Sequence, residues 1–229
     1  MNKYYAHQSD RVQAVLYRVF AWMFFALFLT GITSYYVSQT AAIRDILLKN
    51  SLVFIGLFIA QIALVVYLST RIFQIKQFTA FALFSLYSVL TGVTLSVIFL
   101  VYETGSIVST FFVASAMFAS MAIYGAVTKA DLTGIGSFLG MALWGLILAL
   151  IINLFLQSSM FDLVAAMIGV VIFAGLTAYD IQKIKMIAER ADLSDKAVVS
   201  VALMASLTLY LDFINLFLSL LRVMGNRRR

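Results

Sequence analysis

Two aspartates stand where carboxylates are least at home. Asp212 lies within SLTLYLDFINLFLSLL, residues 206–221, and Asp180 closes an apolar run in GLTAYDIQKIK, residues 175–185. Even on the mildest insertion scale, a charge at the centre of a bilayer costs at least about 2.5–3.5 kcal/mol, so an acid inside such a run must look away from lipid. Asp212 belongs to a stripe: Thr208, Asp212, Asn215, Ser219 and Arg222 recur at intervals of four, three, four and three. That spacing is one face of a helix, and the leucines and phenylalanines between them occupy the others. Asp180 has Thr177 one turn before it and Lys183 one turn after.

The turn-forming cluster ADLSDK at 191–196 lies between the two acids, so helices on either side of it form an antiparallel hairpin. Folding about residue 193 or 194 sets Asp180 opposite residue 207, which leaves Asp212 about 7 Å deeper at the helical rise, an offset a modest tilt closes. Two carboxylates at hydrogen-bond distance in a poorly solvated place cannot both stay ionised cheaply, so they share a proton. Such a pair is a pH-sensitive latch: loss of the shared proton drives the helices apart or draws a cation between them. Arg71, at the inner end of the second apolar run, is the candidate cationic partner. Calcium, a hard cation, takes carboxylate and carbonyl oxygens, but two acids fall short of the roughly six to eight ligands of a tight site. Asp180 and Asp212 as metal ligands therefore predict passage or weak binding, with Thr177, Thr208, Asn215 and Ser219 as pathway-lining candidates. The competing reading is plain packing, with Lys183 or Lys185 snorkelling toward Asp180.

The elements that must position these groups follow from composition. The chain is 63% hydrophobic and 11% charged, with a mean hydropathy of +1.03; soluble domains run near 45–50% and 25%. This predicts an all-α integral membrane protein with the lipid bilayer as its first partner. Runs of about 17–25 apolar residues can cross the hydrocarbon. Seven occur, at 19–37, 52–70, 78–101, 106–127, 134–156, 163–182 and 197–221, the sixth extending as helix to 190. The joints are short, so one polytopic domain is expected, preceded by a tail at 1–14. The first run lacks a small-residue cleavage site and is expected to remain as a span.

Absent cysteine excludes disulfides and thiolate metal sites, and the single histidine, His7, lies in the tail. No cofactor is implied. Without proline, bends must come from glycine or inserted polar side chains. The net charge of +6 is scattered among membrane joints, which leaves no basic face for nucleic acid. Ten bases, from Lys3 to Lys196, flank the inner ends of the runs if the N-terminus is inside, whereas the first outer loop has only Arg44 and Lys49. That asymmetry predicts a cytoplasmic N-terminus. Arg222 and Arg227 to Arg229 oppose it, so either the last run crosses against the rule or it dips in and returns.

Other polar positions have simpler roles. In TKADLTGIGSFLGMAL, residues 128–143, a turn precedes a helix capped by Asp131 or Thr133. Gln61, Asn153 and Gln157 are expected to bond neighbouring helices, and Gly136 with Gly140 and Ala165 with Gly169 to mark close helix packing.

The segments AYDIQKIK (178–185), LTLYLDFINLFLSLLRVMGN (207–226) and TKADLTGIGSFLGMAL resemble the Bax inhibitor family, the transmembrane Bax-inhibitor-motif proteins, and within it the bacterial inner-membrane members. The resemblance covers nearly the whole chain, and its C-terminal signature is the specific part. It implies six helices wrapped around a central seventh. It also implies a pH-sensitive calcium leak controlled by paired aspartates, which map onto Asp180 and Asp212, with a basic residue of the second segment that maps onto Arg71. Two rival functions come from other classes. An intramembrane aspartyl protease also needs two aspartates on adjacent helices, but the second acid here sits in YLDF without the glycines that admit a substrate strand. A regulatory partner of another membrane protein, such as a membrane protease, would depend on the tail at 1–14 rather than on the acids. A retinal-type receptor is excluded by the lack of lysine within the last run.

Overall fold

The computed structural model describes residues 2–190 and 195–228, and everything regular in them is helix. The elements are α1 (Asn2–Gln39), α2 (Ala41–Lys49), α3 (Ser51–Arg71), α4 (Gln77–Leu95), α5 (Ile98–Val101), α6 (Thr104–Val127), α7 (Thr133–Leu156), α8 (Ser159–Arg190) and α9 (Asp195–Met224). Among the described residues, seven helical stretches are long and apolar enough to cross a membrane: 11–39, 51–71, 77–101, 104–127, 133–156, 159–189 and 197–224. The protein is an all-α, seven-helix membrane protein. Its exposed surface carries large apolar side chains, including Phe28, Phe78, Trp144 and Phe155, as a lipid-facing surface must when the backbone is satisfied within each helix. Residues 191–194 of the expected ADLSDK turn lie outside the described residues.

Contacts divide the chain into two compact units. The first contains the residues up to Tyr102, residues 188–210 and Arg228. Here α1 packs along α4, which also packs on α3. The helix closest to α1 needs a glycine at the crossing: a Cβ on Gly92 would stand 2.7 Å from both the Thr30 carbonyl oxygen and the Thr33 Cβ. Helix α1 runs back to Asn2 through the residues expected as a tail, while its membrane-length apolar part starts at Arg11. The short α2 joins α1 to α3 and holds an exposed Lys49–Asp45 ion pair at 2.8 Å. The third span breaks between α4 and α5 without proline. At the break the Ser96 N–H is shared between the Gly92 and Val93 carbonyls, and the Ser96 hydroxyl donates to the Val93 carbonyl at 2.6 Å. Back-bonding of this kind bends helices.

The first unit also buries hydroxyls. The Thr30 Oγ1 meets the Tyr210 hydroxyl at 2.7 Å and lies 2.9 Å from the carbonyls of Ala26 and Ser88, and Ser206 donates to the Val19 carbonyl at 3.0 Å. Gln61 donates to the Leu90 carbonyl and to Thr94 Oγ1, which is the helix-bonding role its position suggested.

The second unit holds residues 103–187 and 211–227. Close packing of α6 and α7 on α8 is set by glycine: a Cβ on Gly125 would collide with the Ala178 backbone, and one on Gly136 with the Tyr179 ring. Gly140 has open space around it, so of that spaced pair only Gly136 marks an approach. Gly169 faces the Ser219 hydroxyl of α9. Phe111 and Phe118 of α6 stack edge-on against Phe213 at 5.5 Å between centroids. Asp131 accepts from the Thr133 N–H at 2.9 Å ahead of α7. The Thr133 side chain and backbone hold its carboxyl below the ordinary 3.8. That support is therefore present above this value and lost as pH falls. Asn153 Oδ1 accepts from Ser158 at 3.1 Å around Gln157, whose φ of 50° ends α7.

Helix α9 is unbroken, and in this unit its C-terminal end lies with the starts of α6 and α8. The Asn226 carbonyl accepts from the Glu103 N–H at 3.0 Å, the Asn226 N–H donates to Ser106 at 2.8 Å, and Arg222 reaches Asp162 at 3.4 Å. The alternative in which the last run dips in and returns is thereby excluded. Of the seven spans α9 is the most covered, with 67% of its apolar window buried against 11–39% for the rest.

Candidate functional site

Asp180 and Asp212 both belong to the second unit and meet there. Asp180 stands on α8, two residues beyond the Ala178 backbone that Gly125 allows α6 to approach. Asp212 stands on α9 between the buried Leu209 and Leu216 and is only 6% exposed. The two carboxyl groups lie close enough to interact electrostatically. Among the described residues no N–H or O–H donor meets Asp212 Oδ2. A carboxylate accepts and does not donate, so a direct bond between two such groups requires a proton on one of them.

The surroundings of Asp180 differ from those of Asp212. Asp180 is half-buried, and Lys183, one turn further, is its nearest cationic influence. The Lys183 ammonium also lies 5.7 Å from the Tyr179 ring centroid. Lys185 turns away, donating at 3.0 Å to the Ala126 carbonyl at the end of α6. One acid thus has a solvated cation at hand and the other is sealed among apolar side chains.

The remaining candidates occupy distinct positions. Thr177 is fully buried and donates to the Phe173 carbonyl of its own helix at 2.8 Å. Thr208, half-buried, donates to the Met204 carbonyl at 3.2 Å, and Asn215, also half-buried, to the Leu211 carbonyl at 2.8 Å. Ser219 is half-buried against Gly169. A hydroxyl that spends its hydrogen on its own helix still presents oxygen lone pairs to whatever lies beside it. Arg71 is the exposed last residue of α3, in the first unit, and its Nη1 donates to Gln74 Oε1 at 2.6 Å.

Gln182 is the residue of this region that the sequence does not announce. It is buried two residues after Asp180 in a segment that reads as the polar end of a span. Its amide oxygen accepts from the Leu132 N–H at 2.9 Å and its amide nitrogen donates to the Ala130 carbonyl at 2.8 Å. It pins the α6–α7 connection to α8. The only hint in the sequence is a glutamine one helical position from the stripe of Asp180 and Lys183.

No group of three or more His, Cys, Asp or Glu side chains suited to a metal occurs among the described residues. A cation at the pair would meet two carboxyl groups and complete its shell with water or hydroxyl and carbonyl oxygens.

Comparison with known proteins places this arrangement. The family model described as "Inhibitor of apoptosis-promoting Bax1" matches residues 12–229. The chain is 46% identical over 218 residues to the inner membrane protein YbhL of Escherichia coli (strain K12), covering 95% of this chain and 93% of that protein. It is 45% identical over 217 residues to an uncharacterized protein of Borreliella burgdorferi, covering 93% and 92%. It is 40% identical over 220 residues to the uncharacterized protein RP147 of Rickettsia prowazekii, covering 96% and 92%. Together with the seven apolar helices, the first relative supports a multi-pass inner-membrane protein. Matched along nearly its whole length, the chain belongs to the Bax inhibitor family of membrane proteins.

Proposed function

We propose that the protein is a pH-sensitive cation leak of the inner membrane, with calcium as the cation best suited to its ligands, gated by Asp180 and Asp212 and carrying out no enzymatic step. The observation that supports this reading is the pair itself: two neighbouring carboxyl groups, one of them buried, with its Oδ2 unpartnered among the described residues. While one proton sits between them, the contact ties α8 to α9. When it leaves, two negative charges face one another in a poorly solvated place, and the repulsion is relieved by separation of the helices or by entry of a cation. Hard cations favour the oxygen ligands that such an opening exposes. Thr177, Asn215 and Ser219 supply further oxygens on the same two helices, and Thr208 stands one turn before Asp212. The N-terminus is proposed to be cytoplasmic, as the distribution of Lys and Arg favours.

Calcium entry into vesicles containing the purified protein tests this. Flux is expected to change between about pH 6 and pH 8, the range a proton-sharing pair can reach. Asp180→Asn and Asp212→Asn are each expected to flatten the profile, because an amide neither loses a proton nor repels its neighbour. A pH profile that survives in both variants would falsify the latch. Potassium and proton flux measured alongside define the ion.

A further inference from the structure

Helix α8 meets its neighbours of the second unit along two opposite faces. Asp162, Gly169 and Asp180, spaced by seven and eleven residues, share one face, since both spacings return to the same side of a helix. Asp162 lies 3.4 Å from Arg222 of α9 and Gly169 faces the Ser219 hydroxyl, so this is the face that α9 covers. Gly175, Ala178, Gln182 and Lys185, spaced by three, four and three, share the other. Gly175 faces Leu139 of α7 and Ala178 faces Gly125 of α6. Gln182 bonds Ala130 and Leu132 of the connection between α6 and α7, and Lys185 donates to the Ala126 carbonyl. Gln182 and Asp180 are two positions apart, about 200° around the helix, so each stands at the back of the other.

The contacts on the α6–α7 face differ in what they fix. Glycine against a leucine side chain or a helix backbone sets a distance but no rotation, because apolar contact is non-directional. The Lys185 ammonium rides on a flexible stem. The Gln182 amide accepts from the Leu132 N–H at 2.9 Å and donates to the Ala130 carbonyl at 2.8 Å, and hydrogen bonds weaken steeply as they bend. Two such bonds from one buried side chain to one stretch of backbone resist rolling of α8 about its axis. That backbone is itself held: Asp131 accepts from the Thr133 N–H, and the Gly136 N–H donates to the Leu132 carbonyl as α7 begins. Constellations of side chains must be held within about 0.5 Å and about 10–20°, and a larger roll of α8 would carry Asp180 away from Asp212.

We propose that Gln182 is the positioning residue of the aspartate pair: by fastening the far side of α8 to the α6–α7 connection it holds the rotation that sets Asp180 beside Asp212, a role that rests on the latch reading. In this unit the charged groups of the elements around Asp180 are Asp162, Lys183 and Lys185 of its own helix, Asp212 and Arg222 of α9, and Lys129 and Asp131 of the α6–α7 connection; α6 and α7 themselves carry none. Gln182 is neutral, so a neutral replacement changes the geometry of the pair and leaves every one of these charges in place.

Infrared difference spectra of the full-length protein in lipid nanodiscs follow carboxyl protonation independently of ion flux, and the band lost in both Asp180→Asn and Asp212→Asn reports the pair. Gln182→Met keeps the volume and removes both bonds, and Gln182→Ala removes them with the side chain. Each is expected to move the midpoint of that band to lower pH by about one unit, the scale of one or two buried hydrogen bonds. Acids no longer held face to face share a proton less firmly. The pH profile of calcium flux is expected to move with the band. Tyr210→Phe, which removes a buried bond of the first unit, is expected to leave the midpoint in place. A midpoint unchanged in a folded Gln182 variant, or moved equally by Tyr210→Phe, overturns the proposal and leaves Gln182 a packing residue. A midpoint that moves in a protein showing no flux removes the leak and keeps the positioning role, whereas no shared band in the wild type removes both.

Discussion

At the scale of single residues, buried polar groups are informative because each must be satisfied. Asp212 is met by Asp180. The hydroxyl of Tyr210, two residues earlier on α9, is completely buried and paired with Thr30 at 2.7 Å. The Tyr210 ring is held edge-on by Phe84 and Tyr87 at 5.8 and 5.9 Å between centroids. Removing only the hydroxyl, by Tyr210→Phe, keeps the ring packing and breaks the bond between α1 and α9. In membrane proteins such bonds average about 0.6 kcal/mol and reach about 1.7. Thermal unfolding in detergent is expected to show a destabilisation in that range, with the pH profile of flux unchanged. A changed profile would connect the Tyr210 hydroxyls to gating. The comparison separates a residue that only holds the helix from one that takes part in a pH response.

At the scale of the helix, close approach is controlled by the absence of a side chain. Gly125 faces backbone, which cannot turn aside, whereas Gly140 faces nothing within 4 Å. Gly125→Ala is therefore expected to destabilise the protein by about 1–3 kcal/mol, the range for overpacked cores. Gly140→Ala is expected to be neutral or slightly stabilising, since alanine is the better helix former by about 1 kcal/mol. Thermal melts of the two variants decide this, and equal effects would mean that helix propensity, not the α6–α8 contact, dominates. The bend at Ser96 belongs to this scale too. With no proline in the chain, the helix is interrupted by side-chain hydroxyls competing for its carbonyls.

At the scale of the whole molecule, seven spans imply chain ends on opposite faces of the membrane, a consequence that labelling tests. The chain contains no cysteine, so single cysteines introduced at His7 and Asn226 report sidedness cleanly. With a cytoplasmic N-terminus, an impermeant thiol reagent added outside spheroplasts is expected to label the cysteine at 226 and to spare the one at 7. Labelling of both or of neither would contradict an odd number of spans. The reverse pattern would invert the orientation. With the N-terminus cytoplasmic, the four arginines at positions 222 and 227–229 lie outside. Arg222 is partly accommodated there by Asp162, and the tail backbone by Glu103 and Ser106.

The sequence by itself determined the fold class and the number of membrane-length helices, because a bilayer demands long apolar runs and makes them visible as composition. It also singled out Asp180 and Asp212, since a carboxylate in such a run is rare enough to be noticed without any partner in view. What it left open was decided by contacts between residues distant in the chain. Whether the last run crosses or returns depends on which ends meet, and the bonds from Asn226 to Glu103 and Ser106 settle it. Gly136 and Gly140 read alike in the sequence, and only the position of Tyr179 distinguishes them. Gln182 is one polar residue among several at the end of α8 until the α6–α7 connection is folded against it. Hydropathy is a property of each residue and survives in one dimension; proximity is a property of pairs, and only the folded chain contains it.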